Sequence, residues 1–554
     1  MKKLLLLSFF ILLCHSGKAQ NLYLKIEGAA ISENKTIDSI GYQHKHANAK
    51  SILDENNTFA TSLFKKGYLE SRLLEQSKTN DSTFTFTYAI GKKTSLIHIY
   101  IGNITAEEKE LLHFKNDTLQ IPLSETEAFM NQGIQTLEKK GYSLSSLQLT
   151  DYKKINHALT AQLEIHTEKK RSLNDIVIAG YTKFPEGIRK NILKQNRKKT
   201  FNQENLKLIH NSFNALPFVN QTKYPEILFT KDSTKVYVYL EKAKPNRFDG
   251  FVGFSNDDNG AVKFNGYLDL LLNNILNSGE KFNLYWKNDG KEQTTFNLGA
   301  EIPYLFKSPL GIKGNLKIFK QDSTFQNTST DINLGYYFNY NSKVFLGYQE
   351  TESVDIQKAN SSTLSNYNNS FITSSYEYYA YNPDDFLFPE RTSLLLKGGI
   401  GSRKSKIESN DQYFFQINAA HNIYLNRRNI FNLRNQTFYL QSNNYIINEL
   451  YRFGGINSIR GFNENSLQAN LYSGLLIEYR YVLASNIYVH SITDFAYFQD
   501  KTSNLKDNLL GLGFGFGLLT KNGLFNIVYA NGSTKNQEIK LSNSIIHISV
   551  KTRF

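Results

Sequence analysis

Residues that carry covalent or metal chemistry are few in this sequence and do not cluster. The single cysteine, Cys14, lies in a segment that we expect to be removed. The 11 His residues are scattered, and the closest pair, His44 and His46, has no evident third ligand for a metal. The Gly-x-Ser-x-Gly pattern is absent, and the glycine run 511–517 lacks the Lys-Ser/Thr pair of a nucleotide-binding loop. We therefore expect no enzymatic activity, no cofactor and no metal.

Charged residues on alternating segments are more informative. Glu478 and Arg480 alternate with large apolar residues, and Asp494 alternates with aromatic residues in the next segment. Successive side chains of a strand point to opposite faces, so these charges lie opposite the apolar residues. Arg460 precedes them and is followed by Gly461, which permits a tight reversal of the chain.

Period-two alternation extends through the second half of the chain. It is clear at 511–518 and 545–554, where apolar residues occupy one face and polar residues or glycines the other. The last five segments are separated by gaps of 3, 8, 2 and 13 residues. Alternately short and long connections are typical of a transmembrane β-barrel, whereas a soluble sandwich rarely places so many charges opposite exposed aromatics. We predict a 16-stranded barrel over 246–554, with strands 12 and 13 at 471–483 and 487–499.

The first half is a repeat with two markers. An alternating segment ends at Gly28, again at Gly102 and again at Gly180. A Lys-Lys-Gly-Tyr sequence, suited to a helix C-terminus, occupies residues 65–68 and recurs at 139–142. Two markers recurring in register indicate related units of one architecture.

Each unit is predicted to contain a strand, a helical stretch and closing strands, which is an α+β domain. In the first unit we expect the closing strands at Phe84–Ala89 and Leu96–Ile101. The predicted units are residues 21–95, 96–170 and 171–245.

The N-terminus is predicted to be a secretory signal peptide, residues 1–20. It has two lysines, an apolar run over 4–14 and small residues at 17–19. Acylation of Cys14 is disfavoured, because the preceding Leu13 is bulky. The chain carries a net charge of +14, which we attribute to solubilising surface and lumen residues. An exported protein is not expected to bind nucleic acid.

The ordered set of motifs resembles one family. Arg460-Gly461-Phe462 resembles the Arg-Gly-Phe/Tyr motif of the outer-membrane protein assembly factor (bacterial surface antigen) superfamily, whose members include BamA and TamA. Glu478-Tyr479-Arg480 resembles the Glu-x-Arg strand of this family, and Asp494-Phe495-Ala496 resembles its Asp-x-Gly strand with Ala in place of Gly. The three units resemble the polypeptide-transport-associated (POTRA) modules that precede its barrel. The resemblance covers nearly all of the chain after residue 20.

This resemblance implies a location and a lumen site. POTRA-like modules would lie in the periplasm and the barrel in the outer membrane of a Gram-negative cell. The loop that carries Arg460, Gly461 and Phe462 would fold into the lumen, where Glu478 and Asp494 hold the arginine. Phe554 would belong to the C-terminal signal that the assembly machinery reads.

The resemblance also implies a function. The protein would insert or translocate client outer-membrane or secreted polypeptides, with the lipid bilayer and periplasmic accessory proteins as further partners. The alternative is a two-partner secretion pore that exports one dedicated partner. Such pores usually carry an N-terminal plug helix, whereas residues 21–30 read as a strand.

Overall fold

Three small mixed sheets are followed along the chain by a closed barrel, as the sequence predicts. The computed structural model describes residues 21–553, except for 156–157, 198, 257–261, 289–292, 359–362, 383, 406–407 and 522. The predicted signal peptide and Phe554 lie outside the described residues. No helix in the described part of the chain is long and apolar enough to cross a membrane.

The first module pairs its strands in the order β2-β1-β4-β3. Its α2 is capped by Asn48, whose side chain accepts a hydrogen bond from the Ser51 N–H. One face of α2, including Phe59, is buried against the sheet. The elements are β1 Leu22–Gly28, α1 Ile31–Ile40, β2 Lys45–His46, α2 Ala49–Lys65, β3 Arg72–Asn80 and β4 Thr83–Ala89.

One predicted strand belongs elsewhere. Leu96–Tyr100 does not close the first sheet but opens the second, where it pairs with 118–122 and 158–162. The strand that the prediction missed is β3, which lies at the edge of the first sheet and is exposed almost throughout. An edge strand with both faces in water has no apolar alternation, so its sequence gives no strand signal.

The second module has the strand order β6-β5-β8-β7 and buries Ile97, Ile99 and Leu163. Its elements are β5 Leu96–Tyr100, α3 Ala106–Leu112, β6 Thr118–Pro122, α4 Thr126–Lys139, β7 Ser146–Ile155 and β8 Ala158–His166. The third module has the order β10-β11-β9. Its elements are β9 Asp175–Ala179, α5 Glu186–Arg197, α6 Gln203–Asn214, β10 Val219–Phe229 and β11 Thr234–Lys242. The residue boundaries predicted for the modules stay a prediction.

Sixteen antiparallel strands close the barrel, with β12 and β29 meeting at the seam. Strands 12 and 13 begin at the predicted residues, and each ends one residue later than predicted. The barrel strands are β12 Arg247–Asn256, β13 Val262–Asn273, β14 Lys281–Asn288, β15 Gln293–Ile302, β16 Leu310–Gln321, β17 Phe325–Asn339, β18 Ser342–Asp355, β19 Tyr367–Tyr381, β20 Glu390–Ser405, β21 Ser409–Tyr424, β22 Asn429–Gln441, β25 Leu471–Ala484, β26 Ile487–Asp500, β27 Leu505–Thr520, β28 Gly523–Ser533 and β29 Ile545–Arg553. Strands β23 Tyr451–Phe453 and β24 Leu467–Ala469 form a separate hairpin in the loop between β22 and β25.

The third module and the barrel form one compact unit. The Tyr181 hydroxyl accepts from Asn274 Nδ2 at 2.9 Å, and the Asn191 side chain donates to the Lys307 carbonyl at 3.1 Å. Burial raises the pKa of Tyr181, which keeps its phenol protonated. The ring of Phe218 lies edge-on to Tyr340, 5.7 Å between centroids. The module thus contacts three consecutive turns at one end of the barrel.

Candidate functional site

The long loop between β22 and β25, residues 442–470, lies against the inner barrel wall. Its hairpin places Phe453 over Tyr472 of β25, with ring centroids 4.3 Å apart, and edge-on to Phe498 of β26 at 5.4 Å. Ile459, next to Arg460, is fully buried in the same cluster. Apolar residues that precede the motif therefore anchor the loop against the inner wall.

Arg460 meets both predicted acidic partners. Its Nε donates to Asp494 Oδ2 at 2.8 Å and its Nη2 donates to Asp494 Oδ1 at 2.5 Å, a forked, two-bond contact. Its Nη1 donates to Glu478 Oε1, and its backbone N–H donates to Asp494 Oδ2 at 3.0 Å. The arginine side chain is 2% exposed. One loop residue is thereby tied to two neighbouring strands, β25 and β26.

Glu478 has more partners than the sequence predicts. Arg480, two residues along β25, donates through Nε at 2.8 Å, and Arg434 of β22 donates through Nη2 at 3.2 Å. Three guanidinium groups therefore surround one carboxylate, whereas Arg460 is the one hydrogen-bond donor to Asp494 among the described residues. Alternation places Arg480 inward, but the register of β22 against β25 has to be known before Arg434 can be assigned.

Glycines let the loop backbone approach the wall closely. Gly461 has a φ of 87°, and a Cβ there would lie 2.3 Å from the Gly532 nitrogen of β28. A Cβ on Gly511 of β27 would lie 2.3 Å from the Arg460 carbonyl oxygen. The ring of Phe462 covers Gly532 in turn. The glycine run of β27 therefore leaves space beside the strand, and at Gly511 the loop backbone occupies that space. This role agrees with the alternation that predicts a strand for the glycine run.

A second ion pair anchors the loop on the N-terminal side of the motif. Glu449 accepts from Arg403 of β20, and its other oxygen accepts from Gln412 Nε2 at 2.8 Å. The adjacent Asn448 donates to Ser353 Oγ at 2.7 Å. Both charged side chains are almost fully buried. Sequence reasoning missed this pair because only alternation, with no motif, marks Arg403.

A third contact lies beyond the motif. Glu464 pairs with Lys287 of β14, near the seam. The loop is thus fixed to barrel strands 3, 9, 12 and 13 at separate points. Among the described residues, no group of three or more His, Cys, Asp or Glu side chains is placed to hold a metal ion.

The seam is the weakest junction in the barrel. Strands β12 and β29 pair through only two positions, Arg247 with Arg553 and Phe248 with Thr552. The next shortest junctions, such as β13 with β14 and β28 with β29, pair eight positions. Most of the facing edge of β12 and of β29 therefore lacks a ladder partner among the described residues.

No protein-family model matches the chain, and no curated protein matches its sequence. Solved structures with a similar fold include BamA from Haemophilus ducreyi lacking POTRA domains 1–3, at 16% identity over 82% of this chain and 99% of that chain, with a TM-score of 0.48. CdiB from Escherichia coli has 13% identity over 91% of this chain and 97% of that chain, with a TM-score of 0.49. CdiB from Acinetobacter baumannii has 13% identity over 97% and 91%, with a TM-score of 0.49.

Proposed function

We propose that this chain is an outer-membrane barrel protein that inserts or translocates client polypeptides, without an enzymatic step and without a cofactor. The observation that carries the proposal is the seam, where two pairs replace the eight or more of the other junctions. Backbone groups without partners are expensive in lipid, so a short ladder marks the place where the wall opens most easily.

The exposed edges at the seam supply the chemistry of insertion. An incoming client strand can hydrogen-bond to the free edge of β12 or β29, as in strand addition to any sheet edge. Pairing satisfies the backbone of the client before it meets lipid, and needs no covalent step. The edge strands of the modules, such as β3 and β7, can hold extended clients in the same way.

The orientation follows from the topology. An even number of strands leaves both ends of the barrel chain at one face, which is also the face that the third module contacts. We assign this face to the periplasm, together with residues 21–245. Periplasmic accessory proteins would then bind the modules.

The seated loop distinguishes insertion from secretion. It fills part of the lumen and is tied down by Arg460 and Glu449, so a path through the pore needs the loop to leave. A path through the seam does not. The alternative, a secretion pore for one dedicated partner, requires the pore path.

A reversible lock at the seam tests the proposal. Phe248→Cys combined with Thr552→Cys puts two thiols on paired positions, and directly opposite Cβ atoms lie about 4.5–5.5 Å apart, within reach of a disulfide after small adjustments. The only other cysteine, Cys14, belongs to the predicted leader. Oxidation should stop client assembly in reconstituted vesicles, and reductant should restore it.

The matched control places the disulfide in a fully paired junction. Leu518→Cys with Phe525→Cys joins β27 to β28, which already pair at 11 positions, so oxidation should have no effect. If the oxidised seam variant still handles its client as well as the reduced form, passage runs through the lumen. The insertion proposal would then be wrong and the secretion pore correct.

A further inference from the structure

Large apolar side chains protrude from the turns at the periplasmic end of the barrel. Phe306 is 99% exposed and Leu276 is 77% exposed, more than the apolar side chains of the barrel wall, such as Ile400 at 70%. Three further side chains at this end are more than half exposed. They are Phe386, Leu425 and Leu483.

The third module packs on two of these turns and yet leaves their apolar tips free. In turn 274–280, Asn274 binds Tyr181, whereas Leu276 remains exposed. In turn 303–309, the Lys307 carbonyl accepts from Asn191, whereas Phe306 is 99% exposed. Each turn therefore has one side against the module and another side that no described residue covers.

The backbone around Phe306 holds the ring outward. Tyr304, Phe306 and Lys307 all have a positive φ, between 53° and 62°. This region is unfavourable for side chains other than glycine and asparagine. Tyr304 is buried and fixes the turn, so the strained conformation displays Phe306 at its tip. A segment that needed only to connect two strands would not require three such residues.

The tips are continuous with the lipid-facing wall. Ile302 and Leu310, which flank the turn of Phe306, are exposed on the outer face of β15 and β16. The exposed charges in the described turn residues are mostly positive. They are Lys307, Arg427, Arg428 and Lys521, against Asp384.

We propose that these turns form a lipid-binding rim, in which the apolar tips enter the headgroup region of the periplasmic leaflet and the cations contact anionic phosphates. The rim is defined by Leu276, Phe306, Phe386, Leu425 and Leu483. It rests on the membrane span proposed above. Aliphatic and aromatic side chains combined with basic ones are the chemistry that binds a bilayer interface.

The arrangement fits a planar lipid surface better than a protein partner. Four of the five side chains come from connections between barrel strands 2 and 3, 4 and 5, 8 and 9, and 10 and 11, and Leu483 comes from the end of strand 12. They are thus spread around the barrel instead of forming one contiguous patch. A protein docks on a contiguous patch, whereas a leaflet meets the whole circumference.

Tryptophan fluorescence in reconstituted vesicles tests the rim and the span separately. The single tryptophan, Trp286, alternates with the lumen residues Tyr285 and Lys287 and so faces outward. In the wild-type chain, quenching of Trp286 by lipids brominated along their acyl chains reports the span. In a Trp286→Phe background, Phe306→Trp and separately Phe386→Trp report the rim. Ser323→Trp, in a polar turn at the opposite end, is the matched control.

We expect lipids brominated near the headgroup to quench both rim reporters more strongly than the control, and soluble acrylamide to quench them less. Strong acrylamide quenching without quenching by brominated lipid would overturn the rim and leave the face open to a protein. Unquenched Trp286 would overturn the membrane span and the rim together. Arg427→Gln with Arg428→Gln should lower the preference of the rim for phosphatidylglycerol over phosphatidylcholine, by roughly fivefold for each charge. An unchanged lipid preference would show that Arg427 and Arg428 do not contact the lipid phosphates.

Discussion

Two buried charge clusters of the barrel use the same groups in different arrangements. At the loop, Arg460 bridges Asp494 and Glu478 from outside the strands that carry them. In the wall, Lys343 of β18 contacts Glu301 of β15 and lies 3.6 Å from Glu377 of β19. Lys313 of β16 contacts Glu377 at 2.5 Å. The first cluster joins a loop to the wall, whereas the second joins wall strands to one another.

The comparison shows that burial alone does not tell which charges control passage. Both clusters are largely buried, and removing one partner of either leaves an uncompensated charge. The loop cluster, however, is the connection whose loss frees a segment that occupies the lumen. The four residues of the wall cluster all lie on barrel strands. Breaking the loop cluster should therefore change ion conductance more than breaking the wall cluster, although both consist of paired carboxylates and cations.

The largest effect is expected from Arg460→Ala. It leaves Asp494 without its forked partner, at a cost of about 3–5 kcal/mol to the seated loop, so the loop should leave the wall. We expect ion conductance in planar bilayers to rise and client assembly to fall, while the barrel still forms.

Arg452→Ala provides the control for that variant. Arg452 lies in the same loop and stacks 5.6 Å from the centroid of the Phe325 ring, so its loss should leave conductance close to wild type. Unchanged conductance in Arg460→Ala would show that this arginine does not keep the lumen closed.

A smaller and different effect is expected from Lys343→Met. It removes a cation from between two carboxylates, but Lys313 still compensates Glu377. The free energy of barrel unfolding in urea should fall by about 3 kcal/mol, the lower end of the range for broken buried pairs. Conductance should stay near wild type, because the loop remains seated. A rise equal to that of Arg460→Ala would erase the difference between the clusters.

Double-mutant cycles sharpen the comparison within the loop cluster. Arg460→Ala with Asp494→Asn should show an interaction free energy of about 1–3 kcal/mol in urea unfolding. Arg460→Ala with Glu478→Gln should show less, since Glu478 keeps Arg434 and Arg480. Equal coupling in the two cycles would mean that the additional arginines do not share the charge of Glu478.

The smallest effect is expected from Arg460→Lys. An ammonium keeps the charge but cannot make two parallel bonds to Asp494 while reaching Glu478. Conductance should lie between those of wild type and Arg460→Ala, and client assembly should recover in part. Full recovery would show that charge alone, without the fork, seats the loop.

The sequence predicts the parts of this site that depend on local periodicity. Glu478, Arg480 and Asp494 point inward because alternation within one strand decides it. The sequence does not predict the ion pairs of Arg434 and Lys343, because their partners lie on other strands and the register between strands depends on the turns. The sequence also does not predict the polar edge strand β3, because that strand has no apolar face.

The contacts of the loop also impose an order on folding. Arg460 binds Asp494, Gly461 abuts Gly532, and the Arg460 carbonyl faces Gly511. The binding site of the loop therefore consists of strands that follow Arg460 by up to 72 residues in the sequence. This binding site is incomplete until β28 has joined the barrel. Seating of the loop is therefore a late event, which makes the loop an internal checkpoint of barrel completion.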